Sequence, residues 1–216
     1  MALSKVNFNS LNVTPAASKA IKFNSNNNGI ETGDVGGSLV LISTTTASNA
    51  STTSITSGID STYKEYIIKF INYHTDSDNA RPYFQASTNG GSSYGVTATS
   101  TAFRATNSED DSYNEFAYTA SHDVAQSTSF FSLADIYMND EADENMNGFI
   151  HLFDPSNTTF VKHFIGRFSG MNNVENVHGF GAGYFNTTSA VNAIQSVSYT
   201  HLRAHETVLD LVCRLL

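Results

Sequence analysis

The sequence predicts an all-β fold, an antiparallel β-sandwich of jelly-roll type, and three observations carry that expectation. Short runs of alternating apolar and polar β-formers recur at least eight times, spaced by roughly 8–20 residues. The 216 residues include 10 Tyr and 15 Phe but no Trp and only 3 Pro, with Ser, Thr, Asn and Gly between the aromatics and charged residues at 14%. That is the composition of aromatic-cored strands joined by polar turns. Finally, no apolar stripe of helical period lasts about 12 residues before residue 197.

The elements follow in order. Residues 1–36 alternate weakly around Val6, Phe8, Leu11 and Val13 and again around Ile21 and Phe23, so this segment reads as extended, with Asn26-Asn27-Asn28-Gly29 supplying a tight turn. Residues 37–196 are expected to form the sandwich. Leu39–Ile42 is a short buried strand, and Thr44–Ser57 reads as a Ser/Thr-rich bridge. In STYKEYIIKFINYH, Tyr66, Ile68 and Phe70 share one face, while Ile67, Ile71 and Tyr73 share the other with Glu65 and Lys69. ARPYFQA then runs into Asn89-Gly90, a strong hairpin signal. Further strands are expected at Tyr113–Thr119, Ser129–Met138, Gly148–Phe153, Phe160–Phe168, Gly179–Phe185 and Ala190–Ile194.

Charge and hydropathy exclude some functions. A net charge of −9 leaves no clustered Lys and Arg to neutralise phosphates, which argues against duplex nucleic acid as a partner. No run of about 18 apolar residues is present, and MALSKVNFNS lacks the apolar segment of a secretory leader, so neither a membrane nor Sec export is expected.

Residues 197–216, VSYTHLRAHETVLDLVCRLL, change abruptly to Leu, Arg and His. Back-translated, VSYTHLRAHET resembles the transposon-end adapter of short-read sequencing libraries, and LVCRLL resembles the flow-cell primer that follows it. The resemblance implies a tail that is not native and a natural final strand that is missing. It removes functional weight from Cys213 and from the metal-like spacing of His201, His205 and Glu206. Leu202, Leu209, Val212 and Leu216 recur at helical spacing, which predicts a spurious, poorly packed helix over about residues 201–215. Ala190–Ile194 is then expected to present an open sheet edge.

The strings GIDSTYKEYIIKF, STNGGSSY, MNGFIHLFDPSNTT and TTSAVNAIQ, together with the opening ALSKVNFNSLNVTP and AIKFNSNNNGIETGDVGGSLVLI, resemble structural proteins of tailed phages of marine bacteria. The likeness covers nearly all of the first 196 residues, in low-complexity motifs that carry no chemistry. It implies a virion or tail-fibre-like β-sandwich without catalysis, assembled in the host cytoplasm. Its partners would be other virion proteins, further copies of itself (a trimer, for instance) and a host-surface glycan. The rival reading is a secreted carbohydrate-binding or glycosidase-like sandwich.

Motifs for chemistry are few. Asp143, Asn145, Asn147, Gly148 and Asp154 match the calcium-loop pattern, with alternate oxygen ligands around a Gly turn and a carboxylate in the twelfth place. Against it, Gly148–Phe153 alternates as a strand, so the expected state is a solvated acidic loop whose side chains diverge, with no cofactor. Asp76–Asn79 and Glu109–Asp111 are acidic enough for a glycosidase carboxylate pair, but solvated loop acids are the expectation. His74, His122, His151, His163 and His178 lack ligand spacing, and His151 and His163 are expected to face solvent or cap a sheet edge. Gly179-Phe-Gly181-Ala-Gly183 reads as a strand and not a phosphate loop. Tyr83, Tyr94 and Tyr113 are the aromatic residues offered for stacking on sugars.

Overall fold

In the computed structural model, which describes residues 19–26, 28–34, 39–202 and 207–214, thirteen strands and no helix are found among the described residues. The chain divides into two units, residues 1–38 and 39–216. In the first, β1 (Lys19–Phe23) and β2 (Ile30–Asp34) form an antiparallel hairpin. Asn24 closes its Asn-rich turn: its Oδ1 accepts from the Asn28 backbone N–H at 3.1 Å.

The second unit holds β3 (Leu39–Ala47), β4 (Ala50–Ile55), β5 (Glu65–Tyr73), β6 (Tyr83–Ser87), β7 (Ala98–Ser108), β8 (Asn114–Tyr118), β9 (Met146–Phe153), β10 (Lys162–Asn172), β11 (Glu175–Phe185), β12 (Ala193–Leu202) and β13 (Thr207–Arg214). Eight strands form an antiparallel sheet in the order β3-β13-β5-β9-β10-β11-β7-β8, and β4-β12-β6 form a second sheet. This is the β-sandwich the alternation predicts.

One face of the large sheet is covered by β6 and by the segment from Phe131 to Met138, which bridges to β6 at Phe84–Phe131 and to the chain just before it at Ala80–Met138. Phe84 packs against Phe131 (ring centroids 4.4 Å apart), Phe164 (5.5 Å) and Phe185 (6.2 Å) at the centre of the core. Glycines make room for that segment. At Gly181 an added Cβ would lie 2.7 Å from the Leu133 Cβ and 2.9 Å from the Leu133 carbonyl oxygen, so the chain of the covering segment sits directly on β11.

Three expectations are corrected. The Ser/Thr bridge is not a linker: its threonines, β-branched and at home in strands, build the end of β3 and the whole of β4, which turn at Asn49 (φ 50°). Asn89-Gly90 does not join a hairpin, because β6 and β7 belong to different sheets and the turn only redirects the chain between them. Ser129–Met138 is extended but holds only isolated bridges.

The fourth correction concerns the C-terminus, which is neither helical nor an appendage. β13 is an interior strand, running Thr207↔Ala47 to Arg214↔Leu39 against β3 and Val208↔Ile71 to Cys213↔Tyr66 against β5. A period of two competes with the helical stripe over the same stretch and shares only Leu209 with it: Leu209, Leu211 and Cys213 are buried on the inner face, while Asp210 and Val212 alternate to the other. Two ladders and a buried face outweigh a local helical stripe, whose isolated stability in water is marginal. β12 likewise runs on to Leu202 and lies between β4 and β6, so Ala190–Ile194 leaves no open edge.

Candidate interaction face

Strand alternation gives the large sheet a second, outer face. On β11 the inward positions are Gly179, Gly181 and Gly183, which places His178, Phe180 and Tyr184 outward. Phe103 on β7 lies directly opposite Phe180, and the two rings stack at 4.8 Å with their planes 12° apart. His178 stacks on Phe180 at 4.4 Å. From β10 the Arg167 guanidinium carbon stands 5.2 Å from the Phe180 ring centre, and its Nε donates to His178 Nε2 at 2.8 Å. Phe116 on β8 continues the row, 5.4 Å from Phe103.

That ladder disfavours the charged form of His178. Its Nε2 accepts from a permanently charged guanidinium, and desolvation together with Arg167 lowers its pKa from the usual histidine value. A second row runs along β9, where Phe149, His151 and Phe153 alternate outward. His151 Nδ1 bonds the Glu65 carboxylate across on β5.

Between the rows lie two open grooves. One, of about 530 Å³, is lined by Thr99, Thr101, Phe153, His163, Ile165 and Tyr184 among others. The other, of about 440 Å³, includes Lys69, Ile71, Phe149, Arg167 and His178. Flat rings, amides and hydroxyls with few acids suit the recognition of a surface. Interface centres are likewise rich in aromatics and Arg and poor in Asp, Glu and Lys.

Beneath the opposite face sits a buried ionic cluster that the sequence did not announce. The Asp135 carboxylate is held by Arg104 Nη1 at 2.8 Å and Arg81 Nη2 at 3.3 Å, with His122 Nε2 at 3.3 Å. Arg104 reaches on to Glu115 at 3.0 Å, and the Arg81 guanidinium lies 3.4 Å over the Tyr137 ring. Ser121 Oγ is 2.9 Å from His122 Nδ1, so a serine, a histidine and an aspartate stand in line. They do not make a nucleophile. The Asp135 charge is met by two guanidiniums, and His122 Nε2 also bonds Arg81, which leaves that imidazole nitrogen occupied instead of poised to take a proton. Burial keeps the His122 pKa low, against the pull of Asp135. The cluster therefore fastens the covering segment to β7.

The sequence-predicted residues are dispersed. Asn145 and Asn147 meet Asn72 at one end of β9, where Asn147 Oδ1 accepts from the Asn72 N–H at 2.9 Å. Asp154 stands at the other end, eight strand residues or about 26 Å away. There its carboxylate takes Lys64 Nζ at 2.9 Å and Asn157 Nδ2 at 2.8 Å, and these bonds hold its pKa down. Asp143, Asn145, Asn147 and Asp154 thus do not converge on one point. Asp78 instead approaches Asp140 and Glu141, all exposed, with ligand oxygens within 4.8 Å of one another. Asp110 closes the β7–β8 turn through Ser108 and Ser112. Tyr83, Tyr94 and Tyr113 occupy three separate places. Tyr83 is on β6 of the small sheet; Tyr94 packs near Phe130 and lines a polar pocket of about 280 Å³; Tyr113 sits in the β7–β8 turn. The rings that do share a surface are Phe103, Phe116, Phe149 and Phe180, which no sequence motif marks. Glycine parity in GFGAGYF was the signal that would have found Phe180.

No family model, no curated protein and no solved structure matches this chain.

Proposed function

We propose that this chain is a non-catalytic building block of a virion, a β-sandwich that holds its place by surface recognition, through assembly with other virion proteins or attachment to a host-surface glycan. The motif resemblance to phage structural proteins supports the setting. The observation that carries the recognition role is the outer face of the large sheet, where ring ladders and grooves lie exposed in a chain whose inner face is already filled. A monomer with no partner gains nothing from so many outward rings, and exposed apolar patches of this extent mark interaction sites.

The test is mass spectrometry of purified particles from the source culture, with antibody labelling in electron micrographs. Peptides of residues 39–196 in stoichiometric amounts support the reading. Their absence from particles, with the gene lying in a sugar-utilisation cluster, overturns it. The grooves favour the second reading, a carbohydrate-binding sandwich, to the extent that Tyr184, His163 and Phe153 offer stacking planes beside hydroxyls. Retention by neutral polysaccharides in affinity electrophoresis is its test.

A further inference from the structure

The outer face is apolar from one edge of the large sheet to the other. Leu41 on β3 is 60% exposed, Ile71 on β5 36%, Ile165 on β10 50% and Phe116 on β8 73%, with Phe103 and Phe180 between the last two. Aliphatic side chains stand beside the rings, which suits a protein surface better than a sugar, whose faces stack on rings alone. The size fits as well. Eight strands at about 4.8 Å spacing and about 26–36 Å long present on the order of 1,000 Å², against the roughly 800 Å² per partner of a stable protein interface.

Charge selects the occupant. The chain carries −9, yet the described charged side chains on the face are Lys69 and Arg167 against Glu65 and Asp210, which cancel. A basic partner would find no acidic patch there, and an acidic one no basic patch. A second neutral, apolar face meets it without repulsion, and an identical face supplies one. We propose that two copies of this chain pair through the outer faces of their eight-stranded sheets, in a two-fold, self-complementary contact. The proposal deepens the assembly reading above and rests on it.

The charge distribution also sets the salt dependence. Two chains of −9 repel at long range while their contact is apolar, so added salt screens the repulsion and strengthens pairing. A contact built on opposite charges weakens with salt instead.

The experiment is light scattering and sedimentation of the full chain across concentration and from low to moderate ionic strength. A mass twice the 23.4 kDa chain, with a dissociation constant that falls as salt rises, is the expected result. Phe116→Lys and Phe180→Lys should each weaken pairing about thirty-fold or more, and Phe116→Lys should leave the melting curve unchanged. Because Phe180→Lys sits in a ladder and can disturb folding, carbene footprinting of the unmodified chain gives an independent reading: labelling of Phe116, Ile165 and Leu41 should fall as concentration rises. A monomer at every concentration and salt, a trimer, pairing that weakens with salt, or pairing that survives both substitutions with unchanged footprints overturns the proposal. So does a monomer retained by neutral polysaccharide. Particles that contain a chain monomeric in solution overturn the pairing and keep the virion role. A dimer absent from particles does the reverse.

Discussion

The two faces of the eight-stranded sheet use much the same residue types and differ in what meets them. The inner face carries Phe70, Phe164, Phe168 and Phe185, and the outer face carries Phe103, Phe149, Phe153 and Phe180. Inside, each ring has a counterpart: glycines on β10 and β11 admit Leu133, Ala134 and Ile136, and the ionic cluster holds that segment down. Outside, the rings stack mainly on one another. Ring content alone does not tell a core from an interface; the presence of a complementary layer does.

That contrast can be broken or sharpened by substitution, beginning where the effect is largest. Asp135→Ala leaves Arg81 and Arg104 buried without their shared counter-charge and should cost about 3–5 kcal/mol in urea unfolding. Phe164→Ala opens a cavity among three aromatic neighbours and should cost about 3–5 kcal/mol by the same measurement; a loss below 1 kcal/mol would mean the inner layer is loosely packed. Gly181→Ala forces a methyl into Leu133 and should cost about 1–3 kcal/mol, whereas Ala182→Gly, one residue away on the outer face, should cost no more than about 1 kcal/mol.

A pH titration separates the faces more gently. His122 is kept neutral by burial, and its folded pKa lies below the unfolded value near 6.5. The unfolded chain therefore binds the proton first. Stability is full above about pH 6.5 and declines as pH falls from there towards the folded pKa. Thermal melting from pH 7.5 to 5 should show that decline, shallower in His122→Gln. His178→Gln on the outer face should flatten it less, since His178 is more exposed and its shift has the same sign. The smallest effect is Phe116→Ser, within about 0.5 kcal/mol in stability, although it should weaken pairing.

How much of this was legible follows from which signals are local. β5 and β9–β11 were readable because period-two alternation is imposed by the pleat itself. β7 carries little signal: ATSTAFRATNS has few large apolar residues, since its inward positions include Ala98, Ser100 and Ala102, small residues that fit beneath other elements. β13 is ambiguous in the sequence because Leu209 and Val212 fit a helical period while Leu209, Leu211 and Cys213 fit a period of two, and only the slot between β3 and β5 chooses. The ionic cluster joins residues 81, 104, 122 and 135 from separate elements, and no spacing rule links them. The residues of the calcium-loop pattern are separated because Asn147 and Gly148 already lie within β9, which carries Asp154 to its far end.

The placement of β13 has a consequence for synthesis. Thr44 Oγ1 meets Asp210 across 166 residues, and Cys213 meets Val40 across 173. At about 5–20 residues per second of translation, β3 and β5 wait some 8–30 s before the strand that joins them has been made. Throughout that interval two apolar strand edges stand unpaired on the nascent chain, beside neighbouring ribosomes translating the same message. Such edges invite pairing between nascent chains, so the yield of native chains should fall as expression rate rises more steeply than final stability would suggest.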